Sequence, residues 1–127
     1  MSNIPEDLRY TDTHEWIKDL GDGRYRMGLT YYAQDQMGEI VMVEFPGMEQ
    51  YGQGDVLGAL EAVKTAEDFY APFDCEVVEI NQGLEDEPAL INEDCYDKGW
   101  LVVLRTDDPA GFEALKTAEE YSEYIGE

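Results

Sequence analysis

Gly58-Ala59-Leu60-Glu61-Ala62-Val63-Lys64-Thr65-Ala66-Glu67-Asp68-Phe69-Tyr70-Ala71-Pro72 places one cation midway between two β-rich segments, residues 55–62 and 69–71. A turn between them pushes the Lys64 side chain into water, where a reaction partner can reach it. Between Arg26 and Lys98 the chain runs for 71 residues, 27–97, with 17 Asp or Glu and Lys64 as the single base. The ordinary reading is a surface lysine, since an acidic chain must put its few bases somewhere; position and isolation set this one apart. An amine so placed suits either Schiff-base chemistry, which wants a desolvated group of depressed pKa, or covalent attachment of a carrier group. Glu61, Glu67 and Asp68 are expected to hold the ammonium protonated, which favours attachment.

Outward from this segment the pattern is mainly β. Residues 9–18 and 25–29 read as a hairpin around Leu20-Gly21-Asp22-Gly23, and 40–45, 76–80 and 100–105 as further short strands. Thr30 is an N-cap for a helix over 31–37 closed by Gly38, and no other helix is expected in the first two thirds. Many short strands with regular turns indicate a small sandwich or barrel. Gly38-Glu39-Ile40-Val41-Met42-Val43 is echoed 37 residues later by Cys75-Glu76-Val77-Val78-Glu79-Ile80, a weak internal repeat that suggests two stacked four-stranded halves. Asp108 as cap, Pro109 at the first position, and Phe112, Leu115, Ala118, Tyr121 and Ile125 on one face predict a C-terminal amphipathic helix of about four turns. Residues 1–8 read as loose. The 127 residues suit a single domain.

Composition narrows the function. Eight Lys plus Arg against 30 Asp plus Glu give a net charge of −22, which repels phosphate backbones and anionic lipid, so neither nucleic acid nor a membrane is an expected partner. Hydrophobic residues at 43% suffice for a core. The N-terminus has neither the basic start nor the apolar run of a signal peptide, which predicts a cytoplasmic protein whose Cys75 and Cys95 are thiols. The residues leave open whether these are small buried hydrophobes or have a thiol role. One histidine, His14, and no C-x-x-C, H-E-x-x-H, phosphate-loop or G-x-S-x-G pattern disfavour a self-contained enzyme. Glu85-Asp86-Glu87 reads as solvated surface, and Asn92-Glu93-Asp94 through Asp97 lacks the glycine and closing Glu of an EF-hand loop, so no metal is expected.

The residues then carry a resemblance across nearly the whole chain to the H-protein family of the glycine cleavage system. Thr13-His14-Glu15-Trp16-Ile17 resembles that family's H-E-W signature, Gly28-Leu29-Thr30-Tyr31-Tyr32-Ala33-Gln34 its G-[IL]-T-x-x-A-Q helix start, and Glu61-Ala62-Val63-Lys64 its E-[SA]-V-K attachment site. Tyr70-Ala71-Pro72, Glu76-Val77-Val78-Glu79-Ile80-Asn81, Leu90-Ile91-Asn92 and Gly99-Trp100-Leu101 follow in the family's order. The resemblance implies a barrel-sandwich hybrid of the lipoyl-domain kind, with lipoate amide-linked to Lys64 by a lipoate ligase or a lipoyl or octanoyl transferase. It implies a carrier rather than a catalyst, a monomer whose arm shuttles an aminomethyl intermediate between glycine decarboxylase, an aminomethyltransferase and dihydrolipoyl dehydrogenase. Glu61 and Val63 belong to the attachment motif, and Thr13, Glu15 and Asp68 match the family's cleft for the loaded arm. For His14, Trp16 and Trp100, packing is the expected role.

Two departures stand out. The family usually has Ser-Gly before its later Glu-Val, and a proline in an Asn-x-Asp-Pro-Tyr turn, where this chain has Asp74-Cys75 and Asp94-Cys95-Tyr96. A thiolate near the arm exchanges with a dithiolane, although acidic surroundings raise a thiol's pKa. A similar group, the lipoate-binding proteins of bacterial sulfur oxidation, carries sulfur intermediates beside a heterodisulfide-reductase-like complex, and the sequence leaves that pathway open as the alternative. A non-lipoylated scaffold is a third reading, which the intact attachment motif disfavours. A biotin carrier would show Met on both sides of its lysine, in place of Val63 and Thr65.

Overall fold

The chain order of strands and helices follows from short apolar alternations punctuated by turns. The structure, a computed structural model, describes residues 3–127. The strands are β1 (Arg9–Tyr10), β2 (Glu15–Gly21), β3 (Arg24–Leu29), β4 (Ile40–Glu44), β5 (Gln50–Tyr51), β6 (Val56–Ala62), β7 (Ala66–Tyr70), β8 (Cys75–Ile80) and β9 (Val102–Arg105). The helices are α1 (Tyr31–Met37), α2 (Gly83–Asp86), α3 (Leu90–Glu93), α4 (Ala110–Glu113) and α5 (Ala118–Tyr124). All pairings are antiparallel, in a six-stranded sheet ordered β1-β2-β3-β9-β8-β5 and a three-stranded sheet ordered β4-β6-β7. The two echoed segments become β4 and β8, one in each sheet, so the sheets hold six and three strands where four and four were expected. The difference arises because the β2–β3 hairpin joins β9 and enlarges one sheet only.

The main core lies between the sheets. Ile17, Met27, Val77 and Leu104 face Ile40, Leu57, Leu60 and Phe69 within one buried cluster, the alternation of a half-buried strand bringing every second side chain inward. At the β2–β3 turn, Asp22 and Gly23 have φ of 56° and 76°, the paired positive values of a two-residue hairpin turn that Asp-Gly favours. Helix α1 has the predicted bounds: the Thr30 hydroxyl accepts from Ala33 N, and Gly38 closes it at φ 81°.

Four expectations are corrected. Residues 9–18 are not one strand, because His14 turns the chain through a left-handed conformation (φ 69°) and folds β1 back on β2. Of the segment expected to be loose, residues 1 and 2 lie outside the described residues; Leu8 is buried, and Pro5 O accepts a hydrogen bond from Tyr10 Oη at 2.6 Å. The single C-terminal helix is two short ones. Lys116 pairs with Tyr10 through reciprocal 2.9 Å backbone bonds, which breaks the helix, and Thr117 with Glu120 restarts it with a capping box. Helices α2 and α3, unforeseen, each insert one apolar side chain, Leu84 and Ile91, into the core.

A second cluster on the outer face of β1–β3 joins Leu8, Tyr10, Trp16 and Tyr121, with Tyr96 and Trp100 against it. Trp16 and Trp100 thus pack as expected. Trp16 is fully buried, its Nε1 donates to Cys95 O at 2.8 Å, and a Cβ on Gly28 would lie 2.6 Å from its ring. The ring is held on both sides, so Gly28→Ala is expected to cost roughly 1–3 kcal/mol by overpacking. Urea unfolding followed by Trp fluorescence measures it; an unchanged midpoint would show that the ring shifts freely.

Candidate functional site

Leu57, Leu60 and Phe69 root the β6–β7 hairpin in the core, while residues from Glu61 to Asp68 are half-buried or exposed. Lys64 is at its apex and is exposed. The backbone of the apex is fixed by Ala62 N donating to Thr65 O (2.9 Å), Val63 N to Glu39 O (3.0 Å) and Lys64 N to Met37 O (3.2 Å). The turn therefore rests on the end of α1 and the entry to β4. Gly38 permits this approach: a Cβ there would lie 3.0 Å from Val63 Cγ2 and 3.3 Å from Lys64 Cγ. The apex is fixed in its main chain and free in its amine, since among the described residues no acid lies within ion-pair distance of Lys64. Glu61, Glu67 and Asp68 are exposed along the hairpin, and none reaches that distance. Val63 is 66% exposed, an aliphatic side chain standing in water beside the lysine.

Two cavities flank the foot of the hairpin. One, of about 540 Å³, is lined by Thr65, Glu67, Asp68 and Tyr70 of the hairpin and by Thr13, His14 and Tyr32 opposite. The other, of about 570 Å³, lies between Glu15, Tyr70 and the Leu115–Lys116 segment. Thr13 borders both, Glu15 only the second and Asp68 only the first. The three residues expected to share one cleft thus stand at the junction of two.

Glu15 is 1% exposed. Its Oε1 accepts from the Thr13 hydroxyl (2.6 Å) and from the Thr11 hydroxyl, and its Oε2 from Tyr70 N (3.2 Å). Burial pushes this carboxyl up to about 7, against the pull of those donors toward the ionised form. His14 Nδ1 lies 2.8 Å from Tyr121 Oη, which is 2.9 Å from Thr30 Oγ1, so α5 steadies the ring on the cavity wall. Burial holds His14 below its usual value, opposed by Asp12 and Glu67. The sequence did not mark Thr11, Tyr70 and Tyr121 as site residues; the alternation Thr11-x-Thr13-x-Glu15 is the only local sign of a hydroxyl pair serving a carboxylate.

Cys75 and Cys95 are free and buried. Burial pushes both thiols up to about 12, and neither lines either cavity. Cys75 has no positive φ and pairs with Tyr51 as an ordinary strand residue, so the site of the family's glycine needs no special conformation here. Among the described residues no cluster of His, Cys, Asp or Glu is arranged to hold a metal, and no helix is long and apolar enough to cross a membrane.

Two antiparallel sheets packed face to face, with a lysine exposed at a hairpin apex beside a cleft, define a barrel-sandwich fold of the lipoyl-domain class. The comparisons with known proteins carry this further. The glycine cleavage H-protein family matches residues 8–127. The glycine cleavage system H protein of Alteromonas mediterranea is 47% identical over 128 residues, covering 100% of this chain and 99% of its own. That of Listeria monocytogenes is 45% identical over 124 residues, covering 97% and 98%. The crystal structure of the glycine cleavage system H protein from Mycobacterium marinum superposes with a TM-score of 0.88 at 35% identity, covering 98% of this chain and 100% of that one. The chain belongs to the glycine cleavage H-protein family.

Proposed function

We propose that this chain is a single, non-catalytic carrier domain that bears lipoate in amide linkage to Nζ of Lys64 and serves the enzymes of glycine cleavage. The observation that carries the reading is the apex of the β6–β7 hairpin: a main chain fixed by three hydrogen bonds and an exposed amine with no ion pair among the described residues. The residues present fit the group. Acylation removes the lysine's charge, which here breaks no salt bridge, and a modifying ligase or transferase finds Glu61 and Val63 exposed beside it. Once attached, the group supplies a reducible disulfide at the end of a long flexible tether.

The chain's own residues then do three things. The hairpin root keeps the tether's origin at one place, because Leu60 and Phe69 are fully buried below it. The neighbouring cavity receives what the tether carries: Asp12, Glu67 and Asp68 line it with carboxylates, and Leu29, Ala33 and Met37 supply an apolar wall. A guest ammonium placed there is neutralised and partly shielded from water. Thr13 lines this cavity and donates to Glu15, which borders the second cavity behind it; a cation drawn close to Glu15 would pull its buried carboxyl back toward its ionised form. Glycine decarboxylase, aminomethyltransferase and dihydrolipoyl dehydrogenase are the partners this reading requires.

The test is the intact mass of the protein purified from its native host, with peptide mapping across residues 61–70. A lipoyl increment confined to Lys64 is expected; an unmodified lysine while glycine cleavage runs would defeat the proposal. Mixing the lipoylated chain with glycine decarboxylase should then support glycine-dependent bicarbonate exchange. No exchange, together with a sulfur adduct on the arm, would favour the sulfur-oxidation alternative.

A further inference from the structure

Half of the chain's eight bases share one surface. Lys18 on β2 stands directly opposite Arg26 on β3, and Arg24 on β3 opposite Arg105 on β9. Residues opposite in antiparallel strands share a face, as do residues two apart, so all four side chains belong to the outer face of the six-stranded sheet. Tyr25, Met27 and Leu104, one position along, point the other way into the core. Like charges directly opposite are destabilising, and this chain has 30 acids from which to choose partners. Two cross-strand pairs of like sign are therefore a cost that stability does not explain.

Only one of these cations is held by internal pairing. Arg105 has Asp107 at 3.2 Å and Glu76 opposite it on β8. Among the described residues, Lys18, Arg24 and Arg26 have no acid within ion-pair distance. Arg26 is fixed by stacking, its guanidinium carbon 5.3 Å from the centre of the Trp100 ring, and its Nε has no hydrogen-bond partner among the described residues. Packing thus presets the arginine while leaving its charge uncompensated. None of the four lines the cavities at the hairpin foot, so they form a surface array on a sheet rather than a pocket.

We propose that this face, bearing Lys18, Arg24, Arg26 and Arg105, is a docking surface for a carboxylate-rich surface of a partner protein. Charge complementarity selects that occupant. Guanidinium forks match carboxylates, and a sheet face suits a protein surface better than a small anion. With a net charge of −22, most of the molecule repels an acidic partner, so such a partner is steered toward this face and arrives oriented. The inference stands independently of what Lys64 carries.

The test is an NMR titration of the 15N-labelled full chain with a ten-residue poly-glutamate peptide at about 0.15 M salt, where the screening length of about 8 Å weakens repulsion from the distant acids. Amide shifts are expected at Lys18, Arg24, Arg26 and Arg105, with Arg9, Lys98 and Lys116 unmoved. The double variant Lys18→Gln/Arg24→Gln, both exposed, should keep its fold by its own amide spectrum and bind the peptide about five-fold more weakly. Absent shifts, or shifts scattered over all the cations, would overturn the proposal. So would tripolyphosphate producing the same shifts at lower concentration than the peptide, which would mark a small-anion site instead. Lipoylation of Lys64, read separately by mass, is expected to be unchanged in the double variant, which keeps the two readings distinguishable.

Discussion

Lys64→Ala is expected to take lipoylation from full to none while leaving stability within about 0.5 kcal/mol of the parent, the usual range for a surface substitution. Incubation with a lipoate ligase, ATP and lipoate, followed by intact mass, reads the first half; urea unfolding reads the second. The two halves separate because the side chain and the main chain at the apex do different work. Among the described residues the amine has no ion pair to lose, whereas the Lys64 N–H bond to Met37 O and the neighbouring Val63 bond to Glu39 O survive any side-chain change other than to proline. The three other lysines do not substitute. Lys116 is tied to Asp12 at 2.8 Å, Lys18 projects from the middle of a strand, and Lys98 follows α3 in a turn of its own. None is presented at the tip of a hairpin. Residual acylation in the variant would show that the enzyme reads lysines other than the apex one. A midpoint several tenths of a molar lower in urea would show that the Lys64 stem, against Gly38, carries packing energy.

What could be read in the sequence was whatever depends on near neighbours. Helix α1 came out with both ends in place because Thr30 and Gly38 act within three or four residues of the helix they close. Strands β3, β4, β6 and β8 followed from alternation, and Lys64 from its isolation between two of them. What could not be read depends on distant pairing. Lys116 breaks the C-terminal helix by bonding to Tyr10, 106 positions earlier, and nothing between Pro109 and Ile125 reports that bond. His14 adopts a left-handed conformation that only glycine and a few polar residues signal locally, so the bend between β1 and β2 was invisible. Charge shows the same divide. The acids around Lys64 are neighbours in sequence yet make no pair with it, whereas Lys18, Arg24, Arg26 and Arg105 become one array only through the register of three strands. Glu15 is the sharpest case: the motif containing it was recognisable, but its burial under Thr11, Thr13 and Tyr70 N was not.

That burial has a pH signature. Glu15 has an ordinary value of 4.5 in the unfolded chain and about 7 in the folded one, desolvation outweighing its hydrogen bonds. Below pH 4.5 both states hold the proton and the group adds no pH dependence. Between 4.5 and 7 the unfolded chain releases the proton while the folded chain keeps it, so the unfolded state binds fewer protons and stability falls as pH rises. Above 7 both are ionised and the deficit is constant, at about 3 kcal/mol for a shift of this size. Glu15→Gln cannot ionise and escapes this penalty. It carries a fixed loss of its own, because an amide cannot accept from both hydroxyls and from Tyr70 N as a carboxylate does, but that loss does not vary with pH. Wild type and variant share every other titrating group, so the expected result is a difference curve. Relative to wild type, the variant gains about 3 kcal/mol between pH 4 and pH 8, with the midpoint of the gain falling between pH 4.5 and 7. Urea unfolding of both proteins across that range measures it. A flat difference would mean that Glu15 titrates at its ordinary value in the folded chain, with the hydrogen bonds from Thr11, Thr13 and Tyr70 N cancelling the effect of burial; at neutral pH it would then meet a guest cation already charged, with no proton to release.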